Sequence, residues 1–365
     1  MQTTAVHKKT GLPKYRPNIL STIGNTPLVN LSRLSEQWGF SVFGKMESFN
    51  PGGSIKDRTA INMLSEALES GQIKPGDTII ESSSGNMALG LAQACKFYNI
   101  KLIIVIDPKV NAHTKKILQA YGVKLVRVTH PELKGGYLES RIQKVEELLS
   151  QNLNRHCLNQ YENPANPETH FQTMSEISRA LNQKVDYIFI STSTGGTLMG
   201  CARYIRDNNL PTKIIAVDAI GSVTFGQKQK KRLIPGHGSG KPSNFLNLDL
   251  INDAIHISDE ECIRGCWDLL EKEAILCGGS SGAVISAIEK YASEIPVGAN
   301  CVGILCDRGE RYLDTVYCKT WIKEHFPDFE ISKKQVNGNM SINRKGRPGK
   351  GRRRKSFSTL TVNST

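Results

Sequence analysis

Strand-like runs that alternate with helical patterns place the strongest limit on how this chain can fold. The runs are rich in Ile, Val and Leu and cover residues 102–106, 187–191, 214–217 and 301–306. Strands that are separated by helices pair in parallel, and the helices then cover the faces of the sheet. At 365 residues the chain is long enough for two ordinary domains. We therefore predict an α/β fold with parallel sheets covered by helices.

A glycine turn places one lysine at the start of a helical pattern. Residues 51–58 read PGGSIKDR, so that Lys56 follows the turn and opens the helix. The glycines hold the backbone close and the helix start fixes the direction, so we expect the Lys56 side chain to point into a cleft. An amine that is partly desolvated in a cleft becomes nucleophilic toward a carbonyl, as a Schiff-base lysine must be. An exposed loop lysine is the alternative interpretation.

A second polar loop, ESSSGN at residues 81–86, lies between an apolar run and a helical pattern. Its side chains and backbone N–H groups stand at a helix start, where they can bind an anion such as a substrate carboxylate. An ordinary helix cap is the alternative, but capping requires only one such residue. We therefore predict that the substrate contacts Ser83, Ser84, Gly85 and Met87.

A third loop, Ser193-Thr194-Gly195-Gly196-Thr197, has the composition of a phosphate-binding site. Glycines let the backbone approach an anion, the hydroxyls donate hydrogen bonds, and the dipole of the following helix adds favourable charge. The loop matches neither the Walker pattern nor the dinucleotide-binding fingerprint. A reactive lysine, a carboxylate loop and a phosphate loop in one chain are much stronger evidence than any one of them.

Five motifs follow one another in the order that one enzyme group shows. They are GNTP at 24–27, the lysine loop, SGN at 84–86, the phosphate loop and GGSSG at 278–282. The chain resembles the fold-type II pyridoxal-phosphate enzymes, and within them the cysteine synthase and cystathionine β-synthase group, from residue 23 to about residue 317. The resemblance implies a tryptophan-synthase-β-like fold of two α/β domains, with pyridoxal 5'-phosphate in the cleft between them.

The resemblance also assigns roles to individual residues. Lys56 would hold the cofactor as a Schiff base, Asn86 would hydrogen-bond the pyridine 3-oxygen, and Ser280 would face the pyridine nitrogen. The loop 193–197 would hold the cofactor phosphate. A neutral partner such as serine leaves the ring a weaker electron sink, which favours prompt loss of a β-leaving group. With Lys56 as the catalytic base, the implied chemistry is β-elimination followed by β-addition to an aminoacrylate.

Four stretches, at residues 130–142, 159–161, 217–226 and 307–314, look like one branch of this group. That branch joins O-phosphoserine to glutamate, which gives N-(2-amino-2-carboxyethyl)-L-glutamate for 2,3-diaminopropionate biosynthesis and thus for a siderophore or an antibiotic. Cysteine synthases carry SGNTG where this chain has SGNMA, which disfavours sulfide as the nucleophile. A cysteine synthase or a cystathionine β-synthase, with sulfide or homocysteine as the acceptor, remains the alternative.

A leaving phosphate requires a cation or several donors, and Arg141 is the candidate. Its guanidinium can bind two phosphate or carboxylate oxygens at once. An arginine on the helix surface is the alternative. The resemblance adds Tyr161 and Ser193 as substrate contacts. We predict that His237, in a glycine-rich loop near the substrate mouth, is an exposed loop residue without a catalytic role. Binding of a carboxylate or a phosphate is the alternative for this histidine.

The resemblance and the composition together divide the chain. Residues 15–45 and 165–330 would form the larger domain, and residues 46–164 would form a smaller, mobile domain. Residues 1–14 would be an N-terminal extension. Residues 331–365 are rich in Gly, Ser and Asn with few apolar side chains, which predicts a basic, disordered tail.

The tail explains the high net charge of +13. It carries ten basic residues and no acidic residue, and subtracting those ten from +13 leaves +3 for residues 1–330. An ordinary charge on the folded part argues against nucleic acid as a partner, apart from nonspecific contact with the tail. We expect small amino-acid substrates, O-phosphoserine and glutamate, as the binding partners.

The nine cysteines are irregularly spaced and include no zinc-binding pattern. Together with the lack of a signal-peptide core in the first twenty residues, they predict reduced thiols in a cytoplasmic protein that holds no metal. No apolar stretch is long enough to span a membrane. The family resemblance further implies a homodimer.

Overall fold

A computed structural model describes residues 15–132 and 136–330 of the protein. The described residues up to Phe329 form one compact unit. The extension and the tail expected from the sequence lie outside the described residues, as do residues 133–135 within the stretch 130–142.

Ten strands occur in the described residues: β1 Leu28–Asn30, β2 Ser41–Met46, β3 Thr78–Ser82, β4 Lys101–Ile106, β5 Lys124–Arg127, β6 Arg155–His156, β7 Tyr187–Ser191, β8 Lys213–Ala219, β9 Asp253–Ile257 and β10 Asn300–Leu305. The helices are α1 Lys56–Glu69, α2 Asn86–Phe97, α3 Ala112–Ala120, α4 Gly136–Ser150, α5 Ala165–Ala180, α6 Gly196–Asp207, α7 Asp259–Glu273, α8 Gly279–Lys290 and α9 Lys319–His325. Short 3₁₀ helices cover Leu20–Thr22, Glu47–Phe49, Leu248–Leu250, Ala292–Glu294 and Gly309–Tyr312.

The strands form two sheets. The larger sheet has the strand order β1-β2-β10-β7-β8-β9, in which only β1 and β2 pair antiparallel. The smaller sheet has the order β5-β4-β3-β6 and is parallel throughout. All strands of the smaller sheet lie between residues 78 and 156.

Apolar side chains fill the space between each sheet and its helices. Ile79, Leu91 and Ile104 are fully buried in the core that joins the smaller sheet to α1 and α2. Ile188 and Ile304 are fully buried in the core of the larger sheet, against α5 and α6. Full burial of an aliphatic side chain of this size contributes roughly 1.5–3 kcal/mol, so these layers fix how the strand ends and helix starts are placed.

The predicted α/β fold is confirmed. The run at 187–191 is strand β7, and the other three predicted runs begin and end within two residues of β4, β8 and β10. The β-branched residues of these runs suit a pleated surface that is covered on both faces. The division into two domains at the stated residues stays a prediction.

A buried ion cluster attaches α1 to β2 and α5. Arg58 Nε lies 2.7 Å from Glu47 Oε2, and its Nη2 lies 2.7 Å from Glu176 Oε2. Lys45 Nζ lies 2.6 Å from the same Glu176 oxygen. Burial alone would raise the pKa of Glu176, but the hydrogen bonds from Arg58 and Lys45 outweigh it and lower the pKa to about 2. Because Arg58 follows Lys56 by two residues, the cluster fixes the start of the lysine helix.

Candidate active site

A cavity of about 280 Å³ lies at the carboxyl ends of β3, β7 and β10. Ser82 and Ser191, which end β3 and β7, line it together with Cys306, which follows β10. The helices α1, α2, α6 and α8 begin at or beside the same wall. Unpaired backbone N–H groups and the helix dipole make each N-terminus favourable for an anion. The cavity is therefore suited to ligands that carry several negative charges.

Lys56, the first residue of α1, lines the cavity with a partly buried side chain. Burial lowers the pKa of its amine, and the nearby Cys306 has a smaller opposing effect. Removal from water disfavours the ammonium form. A larger fraction of this amine is therefore uncharged and nucleophilic than in an exposed lysine.

The loop before α2 contributes Ser83, Ser84, Gly85 and Met87 to the cavity wall. Ser83 Oγ accepts hydrogen bonds from the backbone N–H groups of Gly85, at 3.4 Å, and Ala88, at 3.2 Å. Ser84 Oγ accepts a hydrogen bond from Arg141 Nη1 at 3.3 Å. Ser83 thus supports the start of α2, in line with the capping alternative. Ser84 instead contacts the guanidinium of Arg141.

Four residues of the phosphate loop line the cavity: Ser193, Thr194, Gly195 and Thr197. Gly195 precedes α6 with a φ of 85°, in the left-handed region that favours glycine. Gly196 lies behind the loop, where an added Cβ would overlap Asn166 Oδ1. Asn166 Nδ2 donates to Thr194 Oγ1 at 3.3 Å. Gly196 is therefore a packing residue that lets Asn166 support the loop from below.

A buried histidine joins the phosphate loop to the lysine helix. His170 Nε2 lies 3.3 Å from Thr197 Oγ1 and 3.2 Å from Thr59 Oγ1 on α1. Burial, together with the charges of Lys56 and Arg58, lowers the pKa of His170 well below 6.5. The imidazole is consequently neutral and acts as a fixed polar link between the phosphate loop and α1.

Arg141, from α4, lines the cavity with a side chain that is 13% exposed. Its Nε lies 3.5 Å from Asp107 Oδ2, on the loop after β4. The alternative of a solvated arginine on the helix surface is therefore wrong. Tyr161 lines the same cavity, and burial raises the pKa of its phenol against the opposing effect of Arg141. The phenol is protonated and can donate a hydrogen bond.

Ser280, the second residue of α8, lines the cavity and is 6% exposed. Burial raises the pKa of the neighbouring Cys306 thiol to about 12, so that the thiol is protonated at neutral pH. Ser281 Oγ accepts a hydrogen bond from the Cys306 backbone N–H at 2.9 Å, which holds the end of β10 against α8. Ser280 and Cys306, which both line the cavity, are therefore uncharged.

Asn86 lines the cavity and is held by three residues that the sequence analysis did not select. Asn86 Nδ2 donates to Asp307 Oδ2 at 2.6 Å, and Arg311 Nη1 donates to Asn86 Oδ1. Tyr312 OH donates to the same Asp307 oxygen at 2.5 Å. These residues directly follow the strand predicted at 301–306. Their position was the usable signal, because ligand sites form at the carboxyl ends of parallel strands.

Lys109 and Asn111 also line the cavity and were not selected. Both follow β4, so the same rule would have identified them. Asn111 Oδ1 caps α3, and its Nδ2 donates to the backbone oxygen of Arg311 at 3.0 Å. Lys109 is exposed, with Nζ 5.6 Å from the centroid of the Tyr137 ring. Lys109 thus places a cation at the solvent side of the cavity.

His237 is only 2% exposed, so the prediction of an exposed loop histidine is wrong. The Gly238 backbone N–H donates to the Thr192 oxygen at 2.7 Å, which draws the glycine-rich loop against the end of β7. His237 Nδ1 then lies 2.8 Å from Ser191 Oγ. Burial, with a contribution from nearby positive charge, lowers the pKa of His237 to about 3. The histidine is therefore a neutral support beneath the cavity.

Within residues 15–132 and 136–330, no three His, Cys, Asp or Glu side chains converge where they could hold a metal ion. No helix in this part of the chain is long and apolar enough to cross a membrane. All nine cysteines are free thiols.

Two curated relatives of this chain carry the same name. N-(2-amino-2-carboxyethyl)-L-glutamate synthase from Ralstonia nicotianae is 44% identical over 306 residues, which is 84% of this chain and 90% of that protein. The enzyme of the same name from Cupriavidus metallidurans is 42% identical over 309 residues, which is 84% of this chain and 91% of that protein.

A solved structure, the O-acetylserine-dependent cystathionine β-synthase from Helicobacter pylori, superposes with a TM-score of 0.77 at 29% identity. The superposition covers 83% of this chain and 99% of that chain. The model of one family, described as pyridoxal-phosphate dependent enzyme, matches residues 19–307. This chain therefore belongs to the pyridoxal-phosphate-dependent enzyme family, which confirms the predicted cofactor and enzyme class.

Proposed function

We propose that Lys56 holds pyridoxal phosphate in the cavity, with Asn86 at the pyridine 3-oxygen and Ser280 at the pyridine nitrogen. The loop 193–197 would hold the cofactor phosphate. The residues fit this group because the lowered pKa of Lys56 supplies an uncharged amine for the aldehyde. The start of α6, with its left-handed Gly195, supplies backbone N–H groups for the phosphate. When bound, the cofactor withdraws electrons from an attached amino acid and makes its α-hydrogen acidic.

We further propose that the enzyme joins O-phospho-L-serine to L-glutamate. The observation that carries this proposal is the identity of 42–44% to two N-(2-amino-2-carboxyethyl)-L-glutamate synthases over 84% of the chain. In the reaction the Cβ–O bond of phosphoserine breaks and phosphate leaves with the electron pair. A bond then forms between Cβ and the glutamate amino nitrogen, which loses a proton. The product is N-[(2S)-2-amino-2-carboxyethyl]-L-glutamate, an intermediate for 2,3-diaminopropionate.

Different residues of the cavity have different roles in this reaction. The uncharged amine of Lys56 accepts the α-proton and returns it to Cα after the new bond between Cβ and the glutamate nitrogen has formed. The start of α2, at Ser84 and Gly85, holds the carboxylate of phosphoserine. Arg141 and Tyr161 bind the phosphate, since a guanidinium and a phenol supply several donors to its oxygens. Holding the phosphate as it leaves stabilises the charge that develops when the Cβ–O bond breaks.

Glutamate brings two carboxylates and therefore requires cations of its own. Lys109 is the candidate for one of them, because it lines the cavity and is exposed where a second substrate would enter. Its amine lies over the Tyr137 ring, a contact that a carboxylate can share or replace. Substitution of Lys109 by Ala should raise the KM for glutamate and leave the KM for phosphoserine unchanged.

The test offers purified enzyme two donors, O-phosphoserine and O-acetylserine, each with glutamate, sulfide or homocysteine. Phosphate release that depends on glutamate, with the product identified by mass, supports the proposal. Efficient sulfide use without glutamate turnover would instead identify a cysteine synthase. Arg141→Ala should lower kcat/KM for phosphoserine roughly 10- to 100-fold, as expected for lost hydrogen bonds to a charged group, and that for acetylserine much less. Equal losses for the two donors would exclude a phosphate-binding role of Arg141.

We also propose a cytoplasmic homodimer whose residues 46–164 move as a smaller domain. Free thiols at all nine cysteines suit a reducing compartment. Several large apolar side chains lie on the surface of the single chain, among them Phe49, which is 62% exposed, and Leu248, which is 61% exposed. A second copy of the protein could cover some of these side chains. Light scattering on the purified protein measures the oligomeric state, and a monomer at micromolar concentration would contradict the proposal.

A further inference from the structure

The side-chain amide of Asn86 is held from both ends. Arg311 Nη1 donates to its oxygen, and Asp307 Oδ2 accepts from its nitrogen at 2.6 Å. A guanidinium has no acceptor, so the oxygen of Asn86 must face Arg311. Tyr312 OH donates to the same Asp307 oxygen at 2.5 Å. With two donors directed at it, Oδ2 is an acceptor whether or not a proton resides on the other oxygen of Asp307.

These contacts fix the rotation of the amide, since a turn of 180° would bring the amide nitrogen to the guanidinium and the amide oxygen to the carboxylate. Both new pairs would be repulsive, because a donor would face a donor and an acceptor would face an acceptor. Asp307 is 1% exposed and Arg311 is 9% exposed, so water cannot easily replace either partner. The orientation of Asn86 is therefore determined by residues more than 220 positions away in the sequence.

The holding residues are themselves anchored. Arg311 Nη2 donates to the backbone oxygen of Gly52, in the lysine loop, and Gly52 N–H donates to Asp57 Oδ2 at 2.6 Å. A Cβ at Gly278, just before α8, would overlap the Asp307 carboxylate, so a glycine is required there. The network consequently connects the starts of α1, α2 and α8.

We propose that Asp307 and Arg311 are positioning residues that hold the Asn86 amide with one N–H available to the cofactor's 3-oxygen. Asn86 Nδ2 carries two hydrogens, and Asp307 takes one of them. The other is not used by Asp307, and we assign it to the cofactor's 3-oxygen; the Tyr312 hydroxyl is a further polar group beside Asn86. This inference rests on the proposed placement of Asn86 beside the cofactor, but it does not depend on which substrates the enzyme joins.

The experiment is a double-mutant cycle on the holoenzyme, with Asn86→Ala, Asp307→Ala and the combined variant. The readouts are the dissociation constant of pyridoxal phosphate and the position and pH dependence of its visible absorption band. We expect Asp307→Ala, which removes the acceptor for the Asn86 amide, to weaken cofactor binding about tenfold and to shift the band, as Asn86→Ala does. The double variant should be no worse than Asn86→Ala alone, because a positioning residue acts only through its target.

Tyr312→Phe, which keeps the Asp307 carboxylate, should cause a smaller change of the same kind. Glu310→Ala is the matched control, since it removes a carboxylate from an exposed site of the same segment, and it should behave as the wild type. Additive losses in the double variant, or a wild-type spectrum and affinity in Asp307→Ala, would overturn the inference. An unchanged cofactor in Asn86→Ala would instead refute the proposed placement of Asn86. If Asp307→Ala does not fold, Tyr312→Phe combined with Asn86→Ala completes the same cycle.

Discussion

Glu81 is buried beneath the loop at residues 81–86. Within the described part of the chain, no cation lies as close to it as Lys45 and Arg58 lie to Glu176. Glu81 is 3% exposed, and its Oε1 accepts a hydrogen bond from the Ser82 backbone N–H at 3.0 Å. Burial raises the pKa of Glu81 to about 7, although the Ser82 hydrogen bond and other contacts oppose the rise. We therefore predict that Glu81→Gln removes a pH-dependent loss of stability that the wild-type enzyme shows.

The sign of the effect follows from proton binding. Between pH 4.5 and about 7 the folded protein keeps the proton on Glu81, while the unfolded chain releases it. The contribution of Glu81 to the free energy of unfolding is thus fully present below pH 4.5 and is lost as the pH rises through about 7. The gap between the ordinary value of 4.5 and about 7 corresponds to a loss of roughly 3 kcal/mol at pH 8.

Urea unfolding of the cofactor-saturated enzyme at pH 4.5, 6, 7 and 8 measures this loss. A glutamine imitates the protonated carboxyl, so the free energy of unfolding of the variant should rise relative to that of the wild type as the pH increases. Glu69→Gln, on the exposed surface of α1, is the control, and its free energy of unfolding should change with pH as that of the wild type does. A difference between Glu81→Gln and wild type that stays constant over this pH range would refute the reasoning.

Other perturbations give equally direct results. Gly196→Ala should weaken pyridoxal phosphate binding at least tenfold, because the new methyl group overlaps Asn166; unchanged affinity in equilibrium dialysis would contradict this. Glu176→Ala leaves the buried cations Lys45 and Arg58 with one carboxylate, Glu47, and removes the ion-pair partner of Lys45. It should cost about 3–5 kcal/mol in the free energy of unfolding, so a loss below about 1 kcal/mol by urea titration would be inconsistent with the cluster. Lys56→Ala should abolish the visible band of the bound cofactor, and a borohydride-reducible band that persists would exclude the lysine. Removal of residues 331–365 should leave turnover unchanged, and a large loss would show that the tail has a function.

The sequence predicted the parts of the site that depend on local structure. Lys56, the loop at 193–197 and Ser280 stand at helix starts, where glycine turns and short hydroxyls are visible in a single segment of sequence. The fold class could be predicted for the same reason, since strand and helix patterns are local.

Partners that are distant in the chain could not be predicted in this way. Asp307 and Arg311 reach Asn86 only because β10 and β3 end at the same cavity, and no local pattern shows this. The burial of His237 depends on a backbone contact between its loop and the end of β7, which the composition of a glycine-rich loop does not reveal. Glu176 completes the ion cluster from α5, 118 positions after Arg58.

The order of strands in the two sheets has a consequence for how the protein folds as it is synthesised. The smaller sheet uses only residues 78–156, so all of its strands are present when less than half of the chain has been made. The larger sheet places β10 between β2 and β7, and β2 pairs with β10 across about 260 residues. Until residue 305 leaves the ribosome, β2 and β7 expose edges that lack a neighbour. We expect the larger sheet to form late and slowly, with nascent chains shorter than this prone to aggregation or bound by chaperones.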